Sequence, residues 1–168
     1  MDRLLIRSAT AEDDLALGEL LITSFLAGYA RKLPEVTYGE ARRAELRAVA
    51  RKRAVADVWV AELEGRIVGT VALYPPGAEG SEAWLPNAAD LRHLAIAPEL
   101  HGRGLSAPLL EAAEARAVEW KVDAICLHVR RGAEGVARMY QRRGWIRAPE
   151  GDLDALPEVF LEAYVRHL

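Results

Sequence analysis

Residues 94–107 read Leu94-Ala95-Ile96-Ala97-Pro98-Glu99-Leu100-His101-Gly102-Arg103-Gly104-Leu105-Ser106-Ala107, and this stretch decides the fold. An apolar run ends, Pro98 breaks it, and two glycines open a segment from Gly104 to Trp120. That segment carries Leu105, Leu109, Ala112, Ala113 and Trp120 on one helical face. Glycine at a strand–helix turn lets the backbone come close to a ligand, and successive N–H groups at a helix start cradle anionic oxygens. The chemistry is that of a phosphate or pyrophosphate site. Pro108 supplies no N–H, so a slightly irregular first helical turn is expected.

Downstream, Ala124 to Val129 is apolar with little alternation, as a strand covered on both faces should be. Glu134 to Arg143 predicts a short helix with Val136, Met139 and Tyr140 together, stopped by Gly144. Trp145 to Arg147 and Val159 to His167 read as closing strands. Upstream, Leu91 to Ala97 is strand-like, and Tyr74 to Ala89, with Pro75, Pro76, Gly77, Gly80 and Pro86, reads as a long loop of the kind that serves a binding site. Val58–Leu63 and Arg66–Leu73 flank Glu64-Gly65, a two-residue hairpin signal. Residues 3–7 predict a first strand. Thr10 opens a capping-box spacing for a helix carrying Leu17, Leu20, Leu21 and Phe25, with Gly28 as its stop. Residues 39–54 predict a second, mostly solvated helix ending in Arg51-Lys52-Arg53, and Tyr29 to Tyr38, with Pro34, a mobile connection. A hairpin sheet leading into one strand–helix–strand crossover makes a mixed α/β fold.

The 168 residues give room for one domain, 1–168, and for a core that needs no disulfide or metal. Apolar residues at 51% and charged residues at 28% exclude a disordered tail. A net charge of −3 gives no reason to expect nucleic acid or an anionic membrane as partner. The single cysteine, Cys126, rules out an internal disulfide and a thiolate-rich zinc site, and in its apolar strand it reads as an inert small hydrophobe. No stretch approaches the roughly 18 apolar residues of a membrane span, and Met1-Asp2-Arg3 runs into a strand without a signal-peptide core. A cytoplasmic protein is the expectation.

Three families use such a glycine turn. A Walker loop needs Gly-Lys followed by Ser or Thr, and none is present. Gly102-x-Gly104-x-x-Ala107 matches the dinucleotide fingerprint literally, but its strand lies too far upstream, Arg130-Arg131 stands where an acidic ribose ligand belongs, and the remaining chain is too short for two mononucleotide halves.

The segment resembles motif A of the GNAT superfamily of acetyl-CoA-dependent N-acetyltransferases: Gln/Arg-x-x-Gly-x-Gly/Ala after a strand ending in Ala-Val-x-Pro-Glu. Here it stands as His101-Gly102-Arg103-Gly104-Leu105-Ser106. Asp90 to Ile96 resembles the family's fourth strand, and Met139-Tyr140-Gln141-Arg142-Arg143-Gly144-Trp145 its motif B. The element order agrees along the whole chain. His101 for Gln/Arg, Ser106 for Gly/Ala, and Ala133 for an Asn that contacts the cofactor in many members are departures. The resemblance implies a single-domain fold with a mixed, mostly antiparallel sheet of about seven strands, a splayed parallel pair and four helices. It implies that main-chain groups of Leu94, Ala95 and Ile96 pair with the pantetheine arm of acetyl-CoA. The pyrophosphate would lie at the turn from His101 through Gly102, Arg103, Gly104, Leu105, Ser106 and Ala107, with no metal.

The implied chemistry is attack of an amine, from a small molecule or a peptide, on the thioester. A strand N–H near Ile96 would polarise the carbonyl. Freeing a lysine-like amine of pKa about 10.4 costs roughly 4–5 kcal/mol at pH 7, so a base or water chain is expected. Tyr140 matches the family's general acid, with core packing beside Val136 and Met139 as its other reading. Candidates for the base are Asp90, His93, Glu82 and His128. Asp90 reads equally as a solvated strand-end carboxylate, and each histidine as a hydrogen-bonded core residue. Trp59 reads as hairpin packing, and Trp84 as a wall of the acceptor mouth. A non-catalytic acyl-CoA sensor is the competing function, and a homodimer is an expectation from the family.

Overall fold

The computed structural model describes residues 3–32, 39–156 and 159–168. Leu4–Ser8 forms β1, antiparallel to β2 (Asp57–Leu63), which returns as β3 (Arg66–Tyr74). Glu64 and Gly65 both take positive φ, 51° and 78°, the backbone of a two-residue turn whose twist matches the strands it joins. β4 (Ala88–Ile96) pairs antiparallel with β3. After α4 (Ser106–Glu119) the chain enters β5 (Ala124–Arg130), parallel to β4, then α5 (Glu134–Arg142), β6 (Ile146–Arg147), β7 (Leu153–Leu156) and β8 (Val159–His167). The eight strands run in the order β1-β2-β3-β4-β5-β8-β6, with β7 also on β8. β4–β5 is the one parallel pair in that order, and the fold is the expected α/β architecture.

The N-terminal helices depart from the sequence reading. α1 (Asp14–Lys32) continues through Gly28: a glycine inside a helix costs about 1 kcal/mol against alanine but does not end it. Its start is held by Asp13, whose carboxylate accepts the Thr10 N–H at 2.7 Å and two Arg7 N–H donors at 2.8 and 3.0 Å. The same bonds lower the Asp13 pKa to about 2. The helix expected over 39–54 is two, α2 (Glu40–Arg47) and α3 (Val49–Val55), because Ala48 leaves helical geometry at φ −78°, ψ 52°. That break raises the helix number to five. The connection expected from Tyr29 to Tyr38 is helical up to Lys32, and residues 33–38 lie outside those described.

Successive residues of β4 assign the two layers. Ala95 clusters with Leu21, Ile22 and Leu46 of α1 and α2, while the Ile96 side chain meets the same point above Gly69 as Leu109 of α4. Neighbouring strand residues point to opposite faces, so α1 and α2 cover one face and α4 the other. Leu109, Leu110, Ala113 and Ala117 are the stripe of α4 buried against the sheet. Glu114, on the flank of that helix, takes Arg166 of β8 at 2.8 Å and Arg143 at 3.3 Å, tying β8 and the end of α5 to it.

Candidate functional site

β4 and β5 are paired only at Ala88↔Ala124, Ala89↔Ile125 and Asp90↔Cys126. Beyond Asp90 the strands part: β4 stays with β3, and β5 stays with β8 for seven residues from Ala124 to Arg130. The sheet therefore forks, with Asp90 at the apex. Along the open edge, Ala97 N–H bonds to Val68 O at 2.8 Å, so by the alternation of strand amides Ala95 also faces β3, opposite Thr70, and Leu94 and Ile96 face the gap. The Ile96 carbonyl in that gap accepts Ser24 Oγ at 3.0 Å and lies 2.9 Å from His101 Nε2, which leaves the Ile96 N–H as its outward donor.

At the mouth of the fork, a 3-10 turn over Pro98–Leu100 leads through exposed residues 101–104 into α4. Gly102 and Gly104 have φ +81° and +76°, and nothing lies within 4 Å of where a Cβ would stand at either. Glycine is required here by the left-handed backbone, and the open space beside it is where a ligand can approach. α4 begins at Ser106, so Leu105, Ser106 and Ala107 carry the first, unsatisfied amides. Pro108 falls within the first turn, where an N–H would have no helical partner, and the helix starts two residues after the expected Gly104. The Ser106 hydroxyl reaches Met139 Sδ at 3.6 Å, bringing α5 against the turn. Tyr140, one residue on, is buried edge-on to Trp145 with ring centroids 5.6 Å apart, and burial pushes its phenol pKa up. Ala133 is the N-cap of α5.

Asp90 overturns its solvated reading. β4 starts at Ala88, three residues earlier than the apolar pattern suggested, so the carboxylate is interior and 0% exposed. Oδ2 accepts the Glu82 N–H at 2.7 Å, Oδ1 has no hydrogen-bond partner among the described residues, and burial pushes the pKa up to about 7. His93 sits in a bulge: two residues of β4, His93 and Leu94, stand opposite Val71 alone. Its φ of +58° is left-handed, strained by about 1–3 kcal/mol in a non-glycine residue. Both ring nitrogens are buried and unpartnered, and burial holds the ring neutral with a pKa well below the usual histidine range. The hydrogen-bonded core reading of His93 therefore fails.

Other candidates belong elsewhere. Glu82 is paired with Arg92 at 3.0 Å. His128 Nε2 lies 2.8 Å from Gly151 O, in the hydrogen-bonded core role. Trp84 is packing and not a wall of the acceptor mouth: its ring is 5.4 Å from that of His128 and occupies the space a Cβ on Gly151 would need, 2.3 Å away. Cys126 is buried and its thiol pKa raised, as an inert residue should be. Trp59 is buried in the hairpin.

Sequence reasoning missed Lys52. The 51–53 run is not solvated as a block: Arg53 makes two 2.7 Å bonds to Asp14, and Lys52 is only 6% exposed. The signal was its place three residues after Val49 and six after Leu46, on the buried face of the helices. Lys52 lines a cavity of about 590 Å³ with Arg51, Tyr74, Arg92 and His93, between α2, α3 and β4. Tyr74 stands directly opposite Asp90 in the β3–β4 ladder, which connects this cavity to the fork.

With that geometry in view, the comparisons agree. The family model for the acetyltransferase (GNAT) family matches residues 17–145, well over half of the chain, which therefore belongs to the GNAT acetyltransferase family. Among solved structures, a GNAT-family acetyltransferase from Staphylococcus aureus Mu50 is similar at 16% identity and TM-score 0.77, covering 99% of each chain. A PaiA N-acetyltransferase from Thermoplasma acidophilum, solved with coenzyme A, has 18% identity, TM-score 0.71 and 99% coverage of each chain. A ribosomal-protein-alanine N-acetyltransferase from Brucella melitensis has 23% identity and TM-score 0.68, over 98% of this chain and 99% of its own. No curated protein matches. No helix among the described residues is long and apolar enough to cross a membrane.

Proposed function

We propose that the chain is a cytoplasmic, single-domain acetyl-CoA-dependent N-acetyltransferase acting on an amine. The observation that supports this most directly is the fork itself: a buried carboxylate at its apex, a free strand edge along one side, and a glycine turn with open space beside it at its mouth. Leu94 and Ile96 would hold the pantetheine arm through the edge that faces the gap, with Ala95 contributing shape through its place against β3. His101, Gly102, Arg103, Gly104, Leu105, Ser106 and Ala107 would hold the pyrophosphate, mainly through main-chain N–H groups. When bound, acetyl-CoA supplies an acetyl thioester that an amine attacks directly, the thiolate leaving. The Ile96 N–H is the donor placed to bind the carbonyl oxygen. Asp90, with a pKa near 7 and one oxygen unpartnered among the described residues, takes a proton from the acceptor ammonium, and the neutral amine then attacks. His93 lines the acceptor cavity with a neutral imidazole whose nitrogens are buried, and walls the path to Asp90. Tyr140, its phenol held protonated by burial, donates a proton to the departing sulfur.

Two measurements test this together. Coenzyme A should raise the melting temperature by ligand linkage and NADPH should not, and a panel of amines with acetyl-CoA should release free thiol. Stabilisation without thiol release from any amine would favour a non-catalytic acyl-CoA sensor, and stabilisation by NADPH alone would return the turn to the dinucleotide class.

A further inference from the structure

One buried lysine, Lys52, lines the acceptor cavity without an ion-pair partner among the described residues. The Lys52 ammonium faces the 590 Å³ space, and no carboxylate among the described residues lies within 4.0 Å of it. The carboxylates around it are otherwise engaged or exposed. Glu45 and Glu79 line the same cavity: Glu45 is 2.9 Å from Arg42 and opposes the shift of Lys52 less than burial and the arginines drive it, Glu79 is exposed, and Glu82 is bound to Arg92. Arg92 is further fixed by the Gly80 carbonyl at 2.7 Å and by the Tyr74 ring at 5.7 Å, so it is a wall rather than a free charge. Burying an ammonium without a partner is costly, and a site that holds one open to a cavity is complete only when an anion enters.

We propose that the amine acceptor carries a carboxylate, held by Lys52 in this cavity, so that the substrate is of the amino-acid type, its amine directed past His93 toward the fork. Glu45 and Glu79 on the same lining oppose a second negative charge, which favours a monoanionic carboxylate over a phosphate dianion. Burial and the neighbouring Arg92 and Arg42 draw the Lys52 pKa down to about 7; a bound carboxylate would reverse that, so binding at pH 7.5 should take up a proton. This inference rests on the acetyltransferase reading for the amine, but the anion site can be measured without turnover.

The test uses the full chain, with and without coenzyme A, and calorimetry with N-acetylalanine, N-acetylglutamine and N-acetylphenylalanine against their primary amides. At least one carboxylate should bind tenfold or more tightly than its amide, with proton uptake measured in buffers of different ionisation heat. Lys52→Met should abolish that preference while keeping the coenzyme A melting shift, and Lys52→Gln serves if the Met variant does not fold. For amino-acid acceptors in the thiol assay, Lys52→Met should raise KM tenfold or more with kcat within threefold. Equal binding of acids and amides, no carboxylate binding at all, or a Lys52→Met effect confined to kcat overturns the proposal. Lys52-dependent carboxylate binding in a protein that coenzyme A does not stabilise would uphold the anion site and overturn the acetyltransferase reading instead.

Discussion

At the scale of single residues, the site depends on charges that burial has moved toward neutrality. Asp90 is favoured as the acid in the folded chain, so its contribution to stability is whole below about pH 4 and is lost as pH rises through about 7. Asn keeps an oxygen for the Glu82 N–H without the charge. Asp90→Asn should therefore match the native protein near pH 4 in urea unfolding and exceed it by about 2–3 kcal/mol at pH 8, with an activity that no longer climbs through pH 7. Equal stabilities at pH 8 would mean that the carboxylate is solvated after all. Lys52 acts in a separate window, its contribution whole above about pH 10.5 and lost as pH falls toward 7, so it does not mask the Asp90 effect. For Tyr140→Phe we expect turnover to fall about a hundredfold with the coenzyme A melting shift retained, since only the phenol proton is removed. Unchanged turnover would reduce Tyr140 to its contact with Trp145. The family motif pointed to Tyr140 and left Asp90 as one of four candidate bases, but Lys52 was hidden because a run of three basic residues looks solvated until the helix phase is known.

Elements placed by strong local signals were legible. The Glu64-Gly65 hairpin, the glycine turn and the α4 stripe each rest on one or two residues with a conformational demand that no other arrangement meets. Elements decided by tertiary contact were not: the break at Ala48 has no proline or glycine to announce it, and β7 has only four residues, bridged to β8. The fork was implied by family resemblance and not by periodicity, because a strand that loses its neighbour keeps its apolar alternation. A prediction belonging to this scale concerns the turn. Gly104→Val forces a β-branched residue into φ +76°, where the side chain itself has room, so the change should reshape the cradle at a stability cost of about 1–3 kcal/mol. The native circular dichroism should persist while the coenzyme A melting shift disappears, and a retained shift would place the cofactor elsewhere.

Taken as a whole, the sheet is two ladders, β1 to β4 and β5 to β8, joined by three residue pairs and by one shared core. In hydrogen exchange the amides of Leu94 and Ile96 should be poorly protected in the free protein and slow at least tenfold with coenzyme A, whereas Ala95 and Ala97, bonded across to β3, should change little. Uniform protection of all four in the free protein would contradict the open edge. A seam so short leaves the angle of the wedge to side-chain packing: α4 and the core beneath it brace both ladders from behind, so an arriving thioester meets walls already set apart.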